Sequence, residues 1–331
     1  NKYTDNNGFE RLCKFLTQSF ISKKLYSPLK KPLRAMLEIY RACNLKCVSC
    51  PLGNGSISSE KPLTIFQINK IIKKISPTVN DLSLFNYGEP LLHPNISEII
   101  SICKKSGINI VNIHTNGLLL NKKLSEKLIF SGLSRIRFSV DGASQKTYEQ
   151  YRVNGNFKVL LDNIKEFINI KEKLKYNTPV IEVQMIVMKH NEHEIKKFQD
   201  LFKNLNVVIR YKTFNAHMSG YDKKSKYLKL IPENKEYSRY NDNKAKEVHK
   251  DYKYNFCSWP YERIIINSDG SIVPCCYDYD SKFILGNVFN KNWWTTKDRV
   301  QFIKNMNYNK INICNNCPKG IPSFKIKKIS D

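Results

Sequence analysis

Between residues 35 and 215 the chain alternates short apolar runs with amphipathic segments, about one pair every 30 residues. The apolar runs have the composition of strands and are Met36–Tyr40, Leu82–Asn86, Ile108–His114, Ile136–Val140, Val180–Met188 and Val207–Phe214. Helical patterns lie between them, such as the capping box Thr64-x-x-Gln67 before a stripe of isoleucines. Strands that alternate with helices form parallel sheets, so this region predicts an α/β fold, a partial (β/α)6 TIM-like barrel.

The composition changes on both sides of this repeat. Residues 1–34 form an N-terminal extension, and residues 35–215 form the predicted barrel. Residues 216–255 are polar and rich in Lys and Tyr, which predicts a linker. Residues 256–320 hold five of the ten cysteines and predict a small second domain, and residues 321–331 form a basic tail that we expect to be solvated.

The formal net charge of +26 allows two interpretations. One is an electrostatic footprint for nucleic acid or another anion. The other is compositional, because Arg supplies 10 of the 55 basic residues and no Arg-rich block is present, whereas proteins that read nucleic acid favour Arg. We favour the second interpretation, which is also compatible with an anionic substrate such as a nucleotide-linked sugar.

The cellular compartment follows from the apolar runs and the cysteines. No stretch approaches the ~20 apolar residues of a membrane span, and residues 1–19 contain no apolar run typical of a signal peptide. We therefore predict a cytoplasmic protein. In the reducing cytosol, ten cysteines indicate metal binding rather than disulfides.

Three cysteines directly follow the first predicted strand, in the spacing Cys43-x-x-x-Cys47-x-x-Cys50. This loop lies at the carboxyl end of a strand, where barrel enzymes have their active sites. Three thiolates can hold a 4Fe–4S cluster and leave its fourth iron open to another ligand. Structural zinc is the alternative, but it takes four protein ligands, and no fourth Cys or His is near in the sequence.

A second set of cysteines lies in the C-terminal region and consists of Cys257, Cys275, Cys314 and Cys317. Asp269-Gly270 separates two β-rich runs and predicts a hairpin, whose open end brings Cys257 and Cys275 together. The other two cysteines complete a four-thiolate site. Such a site suits either a 4Fe–4S cluster or zinc.

The first cysteine motif and further motifs in the same order along the chain resemble the radical S-adenosylmethionine (SAM) superfamily. These motifs are Asn86-Tyr87-Gly88-Glu89-Pro90, His114-Thr115-Asn116-Gly117, Ser139-Val140-Asp141-Gly142 and Tyr151-Arg152. The resemblance implies a SAM site formed by Tyr87, Gly88, Glu89, Pro90, Asn116, Ser139, Asp141 and Arg152. In it, the Glu89 motif contacts the SAM amino group and Arg152 holds its carboxylate. Ser49 departs from the pattern, since the family usually has an aromatic residue there, against the adenine.

The resemblance also implies the chemistry. A catalytic 4Fe–4S cluster on Cys43, Cys47 and Cys50 binds SAM and cleaves it reductively, and the resulting 5′-deoxyadenosyl radical takes a hydrogen atom from an unactivated C–H bond. A reducing partner such as flavodoxin or ferredoxin supplies the electron. The C-terminal cysteines resemble the SPASM domain in its shortened twitch form, which implies an auxiliary 4Fe–4S cluster on Cys257, Cys275, Cys314 and Cys317.

The sequence around Ser139 and Cys275 is similar to that of superfamily members that act on aminoglycosides and sugars. We therefore expect hydrogen abstraction from a carbinol carbon of a carbohydrate-type substrate, small or carrier-linked, with epimerisation or oxidation as the outcome. Cys276 is the expected hydrogen-atom donor of an epimerase because its S–H bond is weak; a buried thiol and an alternate ligand are its other interpretations. Asp278 is expected to be an exposed loop acid or a general base.

Two other functions compete with this hypothesis. One is peptide modification, which residues 1–34 disfavour because they are too short for a leader-peptide-binding domain. The other is a metal-stabilised nucleic-acid-binding module, which the positive charge favours.

Overall fold

The structure is a computed structural model that describes residues 31–216, 226–240, 257–306, 311–315 and 324–327. The predicted N-terminal extension lies almost entirely outside the described residues, as do much of the predicted linker and Cys317.

A run of parallel strands alternates with helices over the first half of the described chain. The strands are β1 (Arg34–Leu37), β2 (Asp81–Ser83), β3 (Ile110–Thr115), β4 (Arg135–Ser139), β5 (Val180–Val187) and β6 (Val208–Thr213). The helices are α1 (Ile65–Ile75), α2 (Ile96–Lys105), α3 (Lys122–Phe130), α4 (Gln145–Glu149), α5 (Phe157–Lys173) and α6 (Ile195–Phe202). Neighbouring strands pair in parallel in chain order, which confirms the predicted α/β fold with its partial barrel.

Helix α1 begins at the predicted capping box. The Thr64 side chain accepts a hydrogen bond from the Gln67 backbone N–H at 3.2 Å, and Gln67 Oε1 accepts one from the Thr64 N–H at 2.9 Å. The isoleucine stripe that follows is buried and consists of Ile68, Ile71, Ile72 and Ile75. The cap satisfies backbone N–H groups at the start of the helix, which have no carbonyl partner within it. The buried stripe packs the helix against the sheet.

The two faces of the sheet differ in character. On the outer face, the Phe138 ring lies 6.0 Å from Phe167 of α5, and the Tyr211 ring lies 5.9 Å from Phe198 of α6. Side chains alternate along a strand, so the residues next to Phe138 and Tyr211 point to the opposite face of the sheet. We call that opposite side of β3–β6 the lumen face; it carries Asn112, His114, Arg135, Arg137, Ser139, Glu182, Gln184, Arg210 and Lys212.

The C-terminal region extends the same sheet. Its elements are α7 (Trp259–Glu262), β7 (Arg263–Ile266), β8 (Ser271–Val273), β9 (Gly286–Asn287), α8 (Lys297–Asn305), α9 (Asn312–Asn315) and β10 (Phe324–Lys327). The predicted hairpin is present as the antiparallel pair β7–β8. Strand β7 also pairs in parallel with β1, and β10 pairs antiparallel with β6. The segment expected to be only a solvated tail therefore contains a strand at the far edge of the sheet.

Strands β1 and β2 end earlier than the apolar runs predict. The runs reach Tyr40 and Asn86, whereas the strands end at Leu37 and Ser83. Beyond these points the chain forms the loops that carry the candidate site residues. Within the described residues, no helix is both long enough and apolar enough to cross a membrane.

Candidate active site

The loop that follows β1 carries Cys43, Cys47 and Cys50 at the carboxyl end of the sheet. Two backbone hydrogen bonds hold it against the α4–α5 connection, from Lys46 N to Val153 O at 3.0 Å and from Val48 N to Tyr151 O at 3.1 Å. The loop folds back tightly on itself, since a Cβ at position 53 would lie 2.6 Å from the backbone nitrogen of Cys47. Gly53 is therefore required by the close approach of two backbone segments.

Two of the three thiols, those of Cys43 and Cys47, have surroundings that suit cluster ligands. Arg152 Nη1 donates to Cys47 Sγ at 3.3 Å, and the Leu45 N–H donates to Cys43 Sγ at 3.4 Å. Burial raises the pKa of Cys43 to about 12 and also raises the pKa of Cys47. A thiol in such surroundings becomes a ligand only beside a strong positive charge, which the iron of a cluster provides.

The fit of the three cysteines to a cluster depends on the size of the group they would share. Over the described residues, no group of three or more His, Cys, Asp or Glu side chains is placed to hold one metal ion. A cubane is larger than a single ion and takes one thiolate at each iron corner. A cavity of about 410 Å³ adjoins the loop, and its lining includes Cys43, Leu45 and Asn54.

Glu89 lies beneath this loop and is 2% exposed. Its carboxylate accepts hydrogen bonds from Thr115 Oγ1 at 2.6 Å and from the Asn116 N–H at 2.7 Å, and burial raises its pKa. The preceding Gly88 has φ +101°, and a Cβ there would clash with the Tyr40 carbonyl oxygen. Pro90 begins the short 3₁₀ helix Pro90–Leu92. The motif thus places the Glu89 carboxylate beyond the end of β2, where it is hydrogen-bonded to Thr115 and Asn116 at the end of β3.

Arg152 is held by Asp141 in the same region. Its Nε and Nη2 atoms lie 2.7 and 2.5 Å from Asp141 Oδ2, and Asp141 is fully buried. Asp141 Oδ1 also accepts from the Ile186 N–H at 2.6 Å. Although burial lowers the pKa of Arg152, the charges of Asp141 and Cys47 leave it well above its usual value. This side chain is therefore a fixed cation beside the Cys47 thiol.

The other predicted cofactor residues lie at the neighbouring strand ends. Asn116 Nδ2 donates to Asn44 Oδ1 at 2.8 Å and lies 3.9 Å from Cys43 Sγ. Ser139 Oγ lies 2.8 Å from His114 Nε2. Burial holds the pKa of His114 well below its usual value, so the ring is neutral.

An aromatic ring does lie beside position 49, although the sequence places serine there. Ser49 is 2% exposed, and its hydroxyl lies 2.9 Å from the hydroxyl of Tyr151. Tyr151 is itself buried and immediately precedes Arg152. The pair therefore joins the cysteine loop to the segment that carries the arginine.

Cys276 lies beside the Tyr87 motif. The Tyr87 hydroxyl donates to the Cys276 carbonyl oxygen at 2.5 Å. Burial, and then the charges of Cys276, Cys50 and Cys275, raise the pKa of Tyr87. Burial also raises the pKa of Cys276, which the positive charges of Lys212 and Arg263 oppose. The Tyr87 segment therefore contacts the backbone at Cys276, whose side chain is partly exposed.

The auxiliary cysteines are described in part. Cys257, Cys275 and Cys314 are each partly exposed, and Cys317 lies outside the described residues. Asp278, just beyond them, is 2% exposed and accepts from the backbone N–H groups of Lys282 and Phe283 at 3.0 and 2.9 Å. The expectation of an exposed loop acid is wrong for Asp278, because its carboxylate closes a turn of the C-terminal region.

Sequence reasoning missed two features near this site. One is Glu38, which is fully buried and accepts from Arg41 Nε at 2.6 Å, from the Tyr87 N–H at 3.1 Å and from Ser268 Oγ at 3.1 Å. The other is the set of basic side chains on the lumen face, which are Arg135, Arg137, Arg210 and Lys212. The signal was present as alternating charged residues in β4 and β6, whose sequences are RIRFS and VIRYKT.

Sequence models of known families match two parts of the chain. The radical SAM superfamily model matches residues 37–202, and the model of SPASM, an iron–sulfur cluster-binding domain, matches residues 257–318. The chain belongs to the radical SAM superfamily. Its cofactors are accordingly S-adenosyl-L-methionine and 4Fe–4S clusters.

Curated relatives of this radical SAM enzyme carry several activities. An AdoMet-dependent heme synthase from Methanosarcina barkeri is 30% identical over 54% of this chain and 49% of its own length. A GTP 3′,8-cyclase from Clostridium botulinum is 26% identical over 71% of this chain and 78% of its own length. The chain thus spans about half the length of the heme synthase.

Solved structures share the fold. BtrN, solved with AdoMet and 2-DOIA, aligns with a TM-score of 0.52 at 18% identity and covers 87% of this chain and 93% of its own. Streptococcus suis SuiB, solved bound to the precursor peptide SuiA, aligns with a TM-score of 0.64 at 19% identity and covers 97% of this chain and 80% of its own. At these identities the likeness concerns the fold.

Proposed function

We propose that this radical SAM enzyme abstracts a hydrogen atom from a carbinol carbon of a carbohydrate-type substrate and epimerises that carbon, with oxidation to a ketone as the second outcome. When bound, SAM and the catalytic cluster supply the 5′-deoxyadenosyl radical that takes the hydrogen atom. The observation that carries the proposal is the position of Cys276, whose backbone carbonyl accepts from the Tyr87 hydroxyl at 2.5 Å and which directly follows Cys275 of the C-terminal cysteine group.

The chain's own residues have distinct roles in this proposal. Cys43, Cys47 and Cys50 hold the catalytic cluster. The carboxylate of Glu89 would accept a hydrogen bond from the SAM ammonium group, and the guanidinium of Arg152 would bind the SAM carboxylate. The amino-acid part of SAM is a zwitterion and requires one partner of each charge. Tyr87, Gly88, Pro90, Asn116, Ser139 and Asp141 shape or support that pocket.

The auxiliary site completes the proposal. Cys257, Cys275, Cys314 and Cys317 hold a second 4Fe–4S cluster, and Cys276 next to them is left as a thiol. A reducing partner such as flavodoxin or ferredoxin would supply one electron for SAM cleavage and, after Cys276 has given up its hydrogen atom, a second electron that restores the thiol together with a proton from solvent. In the dehydrogenase alternative the substrate radical would lose a proton to solvent, and the second cluster, held by Cys257, Cys275, Cys314 and Cys317, would provide a place for the electron.

Relatives and neighbours offer other substrates. The name of the GTP 3′,8-cyclase says that it acts on a nucleotide, and a phosphorylated carbohydrate substrate shares that chemistry. SuiB was solved with a precursor peptide, so peptide modification is the alternative activity. A nucleic-acid-binding module without SAM cleavage is the most distant alternative and predicts a steep salt dependence of binding.

The test uses the anaerobically reconstituted enzyme in deuterated water, with a panel of sugars, sugar phosphates and nucleotide sugars. An S–H group exchanges with solvent, so an epimerase that uses Cys276 yields product with one deuterium at the inverted carbon, seen by mass spectrometry and NMR. We expect Cys276→Ala to form 5′-deoxyadenosine from SAM and to yield no inverted product. A ketone product, or normal turnover by Cys276→Ala, contradicts the donor role and favours the dehydrogenase.

A further inference from the structure

The Tyr87 side chain contacts the C-terminal region, although its motif belongs to the predicted SAM site. Its hydroxyl donates to the carbonyl oxygen of Cys276 at 2.5 Å, and the two residues are 189 positions apart in the chain. A phenol has a single hydrogen-bond donor, and this contact uses it. That carbonyl oxygen accepts no other hydrogen bond within the described part of the chain. Tyr87 therefore provides a direct link between the barrel and the backbone at Cys276.

The backbone of Tyr87 is held on its other side by Glu38. The Tyr87 N–H donates to Glu38 Oε2 at 3.1 Å, and Glu38 Oε1 accepts from Arg41 Nε at 2.6 Å. Glu38 is fully buried, so its carboxylate depends on these donors in place of water. Tyr87 is thus fastened to the segment between β1 and the first cysteine loop, and its side chain extends from a fixed backbone position.

The Cys275–Cys276 segment, which Tyr87 holds, carries two cysteines with different predicted roles. Cys275 is a predicted ligand of the auxiliary cluster, and Cys276 is the proposed hydrogen-atom donor. The segment follows strand β8 after one residue, Pro274, and it turns back at once, because the Asp278 N–H donates to the Cys275 carbonyl oxygen at 3.1 Å. A contact at the Cys276 carbonyl oxygen therefore restrains both cysteines.

From these contacts we propose that Tyr87 is a positioning residue that fixes the Cys275–Cys276 segment against the SAM motif. Tyr87 stands two residues before Glu89, the proposed partner of the SAM ammonium group. A substrate radical formed beside SAM has to meet its hydrogen donor in a defined geometry, and a misplacement of about 1 Å can cost roughly a hundredfold in rate. One residue that binds both regions sets that geometry. The proposal rests on the proposed function through Cys276, whereas the restraint on Cys275 does not depend on the donor role.

Hydrogen exchange measures this restraint without turnover. The anaerobically reconstituted enzyme is transferred to deuterated water, and its peptides are followed by mass spectrometry. We expect Tyr87→Phe, which keeps the ring and loses the hydroxyl, to raise the exchange rate of the peptide that contains Cys275, Cys276 and Asp278 by about fivefold or more. The loss of one hydrogen bond raises the population of the open segment by a factor of that order. The peptide of α5 should exchange at its original rate, because the effect is local.

Tyr176→Phe is the matched control, since it removes a phenol hydroxyl from the surface. Tyr176 is 43% exposed, and its ring packs edge-on against that of Phe130 at 5.6 Å. The Cys275–Cys276 segment should exchange in this variant as it does in the unchanged enzyme. An equal rise in the two variants, or an equal rise in the α5 peptide of Tyr87→Phe, would show a general loss of stability and overturn the proposal.

EPR spectroscopy adds a readout that a loss of stability alone does not change. When the three cysteines of the first loop are replaced by alanine, the auxiliary cluster is the one expected to remain. In that background, Tyr87→Phe should shift the g values of the reduced cluster, since the geometry around a ligand tunes an iron–sulfur cluster. Unchanged exchange or unchanged g values would each overturn the proposal. Faster exchange and shifted g values, together with normal turnover by Cys276→Ala, would refute the donor role in the proposed function and support Tyr87 as the positioning residue of Cys275.

Discussion

At the scale of single residues, the candidate site depends on charges that are held in fixed positions. Asp141 is fully buried, and Arg152 is both its ion-pair partner and a donor to Cys47 Sγ. The sequence motif predicted Arg152 as a SAM contact, and it gave no sign of the contact with the thiol. That contact depends on the loop being hydrogen-bonded to Tyr151 and Val153, and a tertiary contact of this kind leaves no local pattern.

The first residue-scale prediction concerns this arginine. We expect Arg152→Ala to weaken SAM binding by roughly tenfold or more, since the charge-assisted contact to the carboxylate is lost, and to destabilise the fold by about 3 kcal/mol, since the buried Asp141 loses its partner. Calorimetric titration of SAM and chemical denaturation measure the two effects. The iron content should be unchanged, and an unchanged SAM affinity would remove Arg152 from the cofactor site.

At the scale of elements, the sequence predicted those features that depend on a single segment of the chain. The capping box and the isoleucine stripe of α1 are present as predicted, because a helix start and an amphipathic face are properties of one segment. The pairing of β7 with β1 and of β10 with β6 was not predicted. These strands are far apart in the chain, so their pairing is decided by how the two regions pack and not by either segment.

Glu38 joins three of these elements and gives the element-scale prediction. Its buried carboxylate binds Arg41 of the cysteine loop, the Tyr87 segment and Ser268 of the β7–β8 hairpin. We expect Glu38→Gln to lower the free energy of unfolding by about 2 kcal/mol, because hydrogen bonds to a charged acceptor become neutral ones. Denaturation of the reconstituted enzyme measures it. Exposed Glu166 on α5 is the control, and Glu166→Gln should change stability by less than about 0.5 kcal/mol; an equal effect of the two would contradict the joining role.

At the scale of the whole molecule, the charge of +26 has two parts. Most of it comes from lysines, and a compositional origin of that part stays a prediction. The part that composition does not explain lies inside the barrel, where Arg137 and Arg210 are mostly buried. Net charge alone could not reveal this, because it does not distinguish a solvated lysine from an arginine on the inner face of a strand.

The two cysteine groups give the prediction for the whole molecule. The strand before the first cysteine loop, β1, and the strand before Cys275, β8, belong to one sheet, because β7 pairs with both. We expect the reconstituted enzyme to hold about eight irons, four in each cluster. Replacing Cys257, Cys275, Cys314 and Cys317 with alanine should leave about four irons, as should replacing Cys43, Cys47 and Cys50, and the second change should also abolish 5′-deoxyadenosine formation.

A thiol outside both groups serves as the control for this experiment. Cys103 on α2 is fully buried among apolar side chains, and Cys103→Ala should retain about eight irons and cleave SAM. Iron analysis and chromatography of the SAM products measure both quantities on the same samples. Each cluster has its own thiolates, so the two losses should be independent of each other. SAM cleavage that survives the loss of Cys43, Cys47 and Cys50 would refute the assignment of the catalytic cluster.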